Sequence, residues 1–294
     1  MSRPKPLSGF PEFLPAGRIV EQRVLASLAE TFELHGFGSI ETRALEPMAQ
    51  LARKGEIDKE IYVVQRLQSL RAGVADRDEL GLHFDLTVPF ARYVLENAGH
   101  LQFPFRRYQI QKVWRGERPQ EGRYREFLQA DIDVVGLDVL AAHHDVEVAL
   151  VILEALERLH TEFGVPPVLM RVNNRKLAEG FYRGLGMDDH LAVLQRVDKL
   201  DKIGPAAVAE LLTGELGLSD EVAAKCLQLA TISAADESFV ERVRALGVEH
   251  ELLDEGLAQL ADVVRACVAA KWAGHAIDQV HFIRPSRSMS QLGG

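Results

Sequence analysis

Arg115, Glu117, Arg118, Glu121 and Arg123 crowd into the run Trp114-Arg-Gly-Glu-Arg-Pro-Gln-Glu-Gly-Arg-Tyr124. Guanidinium forks suit the gripping of phosphate oxygens, and a carboxylate set among them can accept from an amine. Downstream, Gln129, Asp131 and Asp133 recur at every second position, the spacing that puts side chains on one face of a strand. Upstream, Asp85 and Thr87 are also two apart. On a strand, that carboxylate and hydroxyl would offer two acceptors to a bound ammonium.

The elements that must position these groups are legible around them. Residues 103–136 read as two strands joined by a charged loop, with Pro119 and Gly122 marking the turn. In the second strand Leu128, Ala130, Ile132 and Val134 share one face, opposite Phe127, Gln129, Asp131 and Asp133. In the first, Gln109, Gln111, Val113 and Arg115 fall together, leaving Tyr108, Ile110, Lys112 and Trp114 behind. The result is a hairpin with a largely apolar back and a front that is a candidate binding floor. A polar row on an antiparallel sheet can be a merely solvated face. Two aspartates on one strand face count against that, because aspartate is a poor strand former. Leu82–Pro89 reads as a further strand carrying His83, Asp85 and Thr87 on one side, with Pro89 leading into a helix over 90–95.

The block from Trp114 to Phe127, followed by Gln129-Ala-Asp-Ile-Asp133, resembles motif 2 of the class II aminoacyl-tRNA synthetases in its histidyl form. Three other blocks agree in order: Ser8-Gly-Phe-Pro-Glu-Phe-Leu-Pro15, Leu82-His-Phe-Asp-Leu-Thr-Val-Pro-Phe-Ala-Arg92 and Leu200-Asp-Lys-Ile-Gly204. The resemblance implies an α+β fold, a class II synthetase-type antiparallel sheet flanked by helices with an all-helical insertion module. It implies ATP-dependent activation of histidine and transfer to tRNA. Arg115 would be the catalytic residue, bridging carboxylate and α-phosphate. Arg115, Glu117 and Arg123 would bind ATP, Glu117 at the adenine amine and Arg123 at the terminal phosphates, with Mg²⁺ shielding the triphosphate. Asp85, Thr87, Gln129 and Asp133 would hold the amino acid. The segment 37–47 corresponds to motif 1, which implies a homodimer.

The rest of the chain frames this reading. Its 294 residues allow a sizeable core, and 47% hydrophobic with 26% charged residues is ordinary for a globular protein. A net charge of −9 argues against indiscriminate coating of nucleic acid without excluding a local basic groove. Cys226 and Cys267 lie in apolar helical contexts, suited to buried thiols in a reducing cytoplasm. No secretory leader or membrane-length apolar stretch is read. Helical spacing is expected over 18–34 and 138–160, strands over 60–67 and 166–174, and a polar turn over 69–79. His143 and His144 are adjacent on the second of these helices, point about 100° apart, and read as a solvated face rather than metal ligands.

From 174 onward short helical patterns follow at 175–184, 191–202, 206–216, 221–230, 239–246 and 257–272. The expected organisation is a catalytic core over 1–172, a helical insertion over 173–272 and a divergent tail over 273–294. In the family the insertion leans over the acceptor end of tRNA; its composition here is mixed rather than basic. The tail lacks the family's second arginine block, motif 3 and anticodon-binding domain, so exposed sheet edges are expected, with residues 280–284 able to supply one replacement strand. Three readings follow: a shortened histidyl-tRNA synthetase, a paralogue serving as a histidine-binding regulatory subunit of the ATP phosphoribosyltransferase type, and a stand-alone amino-acid-activating enzyme with a non-tRNA acceptor. The arginine and glutamate set favours an ATP user.

Overall fold

The computed structural model describes residues 5–52, 61–73, 79–168, 170–272 and 280–282. It divides into two compact units, residues 1–141 and 142–294. That division lies earlier than the expected 172/173 boundary, because the helix from His143 packs with the second unit.

The first unit opens with α1, Pro15–Leu34, which has proline in its first turn, a position where the missing N–H costs nothing. The helix ends before Gly36, whose φ of 76° turns the chain back. Short strands β1, Gly38–Ser39, and β2, Leu45–Pro47, follow, then α2, Met48–Leu51. After β3, Val63–Val64, and α3, Leu67–Ala72, come β4, Leu80–Leu82, and α4, Thr87–Asn97. The long hairpin is β5, Phe105–Trp114, and β6, Glu126–Val135.

Two three-stranded sheets result, in the orders β1-β5-β6 and β2-β4-β3. β1 runs parallel to β5, whereas the other pairings in these two sheets are antiparallel. Among the described residues β6 pairs only with β5. The back of the hairpin packs on α1: the rings of Phe32 and Tyr108 lie 5.7 Å apart, and the Tyr108 hydroxyl donates to Glu33 at 2.7 Å. Glu46 of β2 is fully buried, and Arg92 of α4 clamps it with Nε 2.9 and 3.0 Å from its two oxygens. This fork-to-carboxylate geometry ties α4 to the second sheet.

Three sequence expectations fail here. The strand over 82–89 stops at Leu82, and Thr87 begins α4 instead of sharing a strand face with Asp85. The reason is local: Asp85 accepts from the Val88 backbone N–H at 3.2 Å, a capping interaction that starts a helix. Around 60–79 the expected strand is only Val63–Val64, and Ser69 lies inside α3 rather than in a turn; residues 60 and 74–78 lie outside the described residues.

The second unit is mainly helical. It comprises α5, His143–Phe163, β7, Met170–Val172, α6, Arg175–Gly184, α7, His190–Val197, and α8, Leu200–Gly214. Next are α9, Asp220–Thr231, α10, Phe239–Arg244, and α11, Glu251–Trp272, with β8, Val280–Phe282, lying parallel to β7. The start of α5 is later than expected, since residues 138–142 are not helical. His144 is buried and pairs with Glu147 at 3.0 Å, so that face is not simply solvated. Side-chain caps mark three starts: Asn174 accepts from Lys176 N, Asp189 from Ala192 N and Ser219 from Val222 N. One core of Leu177, Phe181, Tyr182, Leu212, Leu229, Leu257 and their neighbours holds the helices together. The expected divergent tail lies outside the described residues, apart from β8. Among the described residues, no helix is long and apolar enough to cross a membrane.

Candidate active site

The antiparallel register pairs Arg107 with Asp133, Gln109 with Asp131 and Gln111 with Gln129. Directly opposed residues point to the same side of a sheet, so the front of the hairpin is a continuous polar row. It is not a solvated one. Arg107 and Gln109 are fully buried, while Gln129, Asp131 and Asp133 are half-buried. Gln109 donates to the Thr42 hydroxyl at 2.9 Å, and Gln111 donates to the Thr42 carbonyl at 2.7 Å, so the residues after β1 close over part of the row.

Arg115 stands just beyond the end of β5. Its Nε donates to the Phe84 carbonyl at 3.0 Å, its Nη2 to Gln129 Oε1 at 3.3 Å, and its guanidinium carbon lies 5.1 Å from the centre of the Phe127 ring. Gln129 passes the chain on, donating to Asp131 at 2.9 and 3.1 Å. Arg115 therefore shares its face with Asp131 and Asp133, the geometry that the hairpin pattern demands. Asp133 Oδ2 lies 2.5 Å from Arg107 Nη2. Burial holds the Asp133 carboxyl above its usual range; Arg107 opposes that rise, and Asp131 and Asp85 add to it. The same burial lowers the Arg107 guanidinium against the pull of Asp133, Asp131 and Asp85. Asp85 thus belongs to this cluster. Thr87, half-buried in the first turn of α4, makes no described contact with it.

The loop between the strands is a separate grouping. Gln120 and Arg123 exchange backbone hydrogen bonds of 2.9 and 3.2 Å around Gly122, whose φ is 74°. Arg123 faces Glu117 at 3.5 Å with both side chains exposed. Arg115 N donates to the Arg125 carbonyl at 2.8 Å, and Arg125 Nε donates to the Glu117 carbonyl at 3.0 Å, which fastens the loop to the strand ends. Gly9 closes the other side: its carbonyl accepts from the backbone N–H groups of Arg125 and Glu126. At its φ of 85° a side chain would be strained, and a Cβ would meet Arg125 at 2.9 Å.

Sequence reasoning missed Arg107, the Phe84 carbonyl and the clamp at Gly9. Arg107 carried a signal, since it sits two residues before Gln109 in the same alternation. Among the described residues, no group of three or more His, Cys, Asp or Glu is arranged to hold a metal ion.

A helix-backed antiparallel hairpin with this polar front, joined to a helical module, defines a class II synthetase-type architecture. A sequence profile of the histidyl-tRNA synthetase family matches residues 9–282, and the chain belongs to that family. It is 69% identical over 270 residues to a histidine–tRNA ligase of Cutibacterium acnes, covering 90% of this chain and 59% of that protein. It is 60% identical over 293 residues to a histidine–tRNA ligase of Micrococcus luteus, covering 97% and 63%. The chain thus spans about three-fifths of the length of these relatives. Among solved structures, a histidyl-tRNA synthetase from Nostoc superposes with a TM-score of 0.78 at 28% identity, covering 95% of this chain and 61% of that one. A Bacillus halodurans protein described as an ATP phosphoribosyltransferase regulatory subunit/histidyl-tRNA synthetase shares the fold, with a TM-score of 0.75 at 19% identity, covering 95% and 67%.

Proposed function

We propose that the hairpin front binds histidine and ATP and joins them as the adenylate, and that the protein acts as a histidine–tRNA ligase. The observation that carries this reading is the fixed Arg115. The Phe84 carbonyl and Gln129 hold its guanidinium at the end of a floor whose other end is acidic. In the reaction the histidine α-carboxylate attacks the α-phosphorus of ATP and pyrophosphate leaves. Negative charge gathers where carboxylate and phosphate oxygens approach, and a preorganised guanidinium between them favours that state over the ground state. Asp85, Thr87, Gln129 and Asp133 receive the α-ammonium and hold the nucleophile in line.

Glu117 and Arg123 would separate to take the adenine amine and the terminal phosphates. Their pairing at 3.5 Å is exposed, a contact worth about 0–1 kcal/mol, so ATP displaces it at little cost. Mg²⁺ would ride on the triphosphate oxygens, which suits an ion that keeps few protein ligands. In the second step the aminoacyl group moves to a terminal tRNA ribose, with residues 173–272 acting as the module at the acceptor end and residues 1–172 as the core. A cytoplasmic homodimer is part of the same reading.

Arg115→Ala tests the proposal. Histidine-dependent ATP–pyrophosphate exchange should fall by on the order of 10²–10³-fold, the usual loss for one preorganised donor, while far-ultraviolet circular dichroism stays unchanged. Near-normal exchange would remove Arg115 from the site. Charging of tRNA in the same preparation separates the ligase from an enzyme using another acceptor. Histidine binding without any exchange would instead favour the regulatory reading.

A further inference from the structure

Among the described residues Arg107 is the largest fully buried side chain, and a guanidinium carries a full charge. Its contacts do not repay that burial in the ordinary way. Nη1 donates one long hydrogen bond to Gln109 at 3.3 Å, and the guanidinium lies 4.1 Å from the centre of the Phe90 ring. Nη2 is close to Asp133, but among the described residues neither Nη2 nor Nε makes an aligned hydrogen bond. The interaction with Asp133 is therefore mainly Coulombic. A buried ion pair of this kind is commonly replaced by apolar residues without loss of stability, so folding alone does not account for the charge.

The surroundings supply a reason. Asp133 and Asp131 of β6 and Asp85 before α4 all lie within the field of Arg107. Asp131 and Asp85 repel charge on Asp133, and burial further favours its neutral form. A neutral acid accepts an ammonium poorly. Arg107 offsets this from the same face of the hairpin: it is wholly enclosed, while the Asp133 side chain keeps about a third of its surface open. We infer that Arg107 is a positioning residue for the amino-acid subsite, holding Asp133 ionised and aimed while leaving its open side to the α-ammonium of the substrate. The inference rests on the proposed function for the identity of that ligand, though not for the charge state of Asp133.

Histidine-dependent exchange measured from about pH 6 to 9 in the full chain reads the effect through KM. In Arg107→Met the KM for histidine should climb as pH falls, by about tenfold for each unit that Asp133 titrates upward, and approach the wild-type value in alkali. Its kcat should move far less. Arg107→Lys keeps the charge and should keep the wild-type pH profile with a modestly higher KM. Parallel profiles for Arg107→Met and wild type would overturn the inference. Absence of exchange in wild type at every pH counts against the proposed function instead. The inference is then decided by ¹³C NMR titration of the Asp133 carboxyl, expected ionised at neutral pH in the wild-type protein. That measurement needs no folded Arg107→Met, and a protonated Asp133 in the unliganded wild type would refute the idea.

Discussion

Tyr182 shows what a buried polar group does when nothing answers it. Its ring belongs to the core of the helical unit, the residue is fully buried, and among the described residues its hydroxyl has no hydrogen-bond partner. Burial, followed by Cys226 and Asp198, lifts its ionisation far above the usual tyrosine range. Burial likewise pushes the neighbouring Cys226 thiol up to about 12. An unanswered hydroxyl costs the folded state about 1–3 kcal/mol. Tyr182→Phe should therefore be neutral or stabilising at neutral pH, by up to about 1 kcal/mol, in urea unfolding. The alkaline limb follows from the same shift. Folded Tyr182 keeps its proton while the unfolded residue releases it near pH 10, so this contribution is complete below about pH 10 and is lost as pH rises further. Tyr182→Phe should flatten that loss. A variant destabilised by more than about 1 kcal/mol would mean that the hydroxyl has a partner. Arg107 contrasts with Tyr182, since charged neighbours give its burial a use. Sequence alternation could reach Gln129, Asp131 and Asp133 because the polar row has period two. It passed over Arg107 because an arginine in a strand reads as exposed, whereas Phe90 of α4 lies over its guanidinium in the fold.

Two glycines decide how closely the elements of the helical unit approach. A Cβ at Gly256 of α11 would sit 2.2 Å from the Leu177 nitrogen of α6, and one at Gly180 of α6 would sit 2.2 Å from the Leu253 nitrogen of α11. Both obstacles are backbone, which cannot rotate aside. Alanine gains about 1 kcal/mol over glycine in a helix interior, but here the two helices must separate and lose packing along their contact. Gly256→Ala should thus destabilise by about 2–4 kcal/mol net, read from the denaturant midpoint. Gly214→Ala, at the end of α8 with nothing within 4 Å of its Cβ, is the control and should be tolerated. If Gly256→Ala matched that control, the close crossing would be wrong. The helices themselves were readable: α6 has the expected bounds at both ends, and α9 differs by one residue at each. Their periodicity and caps are local. The elements around the site were harder, because Leu82–Pro89 has a strand's alternation until Asp85 caps the turn into α4. The pairing of β1 with β5 joins residues nearly seventy positions apart, which no window along the chain contains.

The first unit presents α1 in an arrangement unlike that of a helix meant to face water. Its buried residues are Ser27, Thr31 and Phe32, two of them polar, whereas Ile19 and Val20 each leave about half their surface exposed. Leu14, just before the helix, is 81% exposed, and Phe13 beside it is 58% exposed. We propose that these exposed large apolar side chains belong to an association surface. The proposed homodimer supplies a self-complementary occupant, since a two-fold axis brings the same patch from both copies together. Charge then sets the conditions. Each chain carries a net −9, so two copies repel at long range, and salt screens that repulsion with a Debye length of about 10 Å at 0.1 M. Association driven by apolar burial against like charge should tighten as salt rises, the reverse of an interface built on ion pairs. In sedimentation velocity the wild-type chain should therefore run as a dimer whose dissociation constant falls between low and moderate salt. The Ile19→Glu/Val20→Glu double variant should shift to monomer with unchanged circular dichroism, because it buries new charge in the patch. A wild-type chain that is monomeric at every salt concentration would show that α1 does not join two copies.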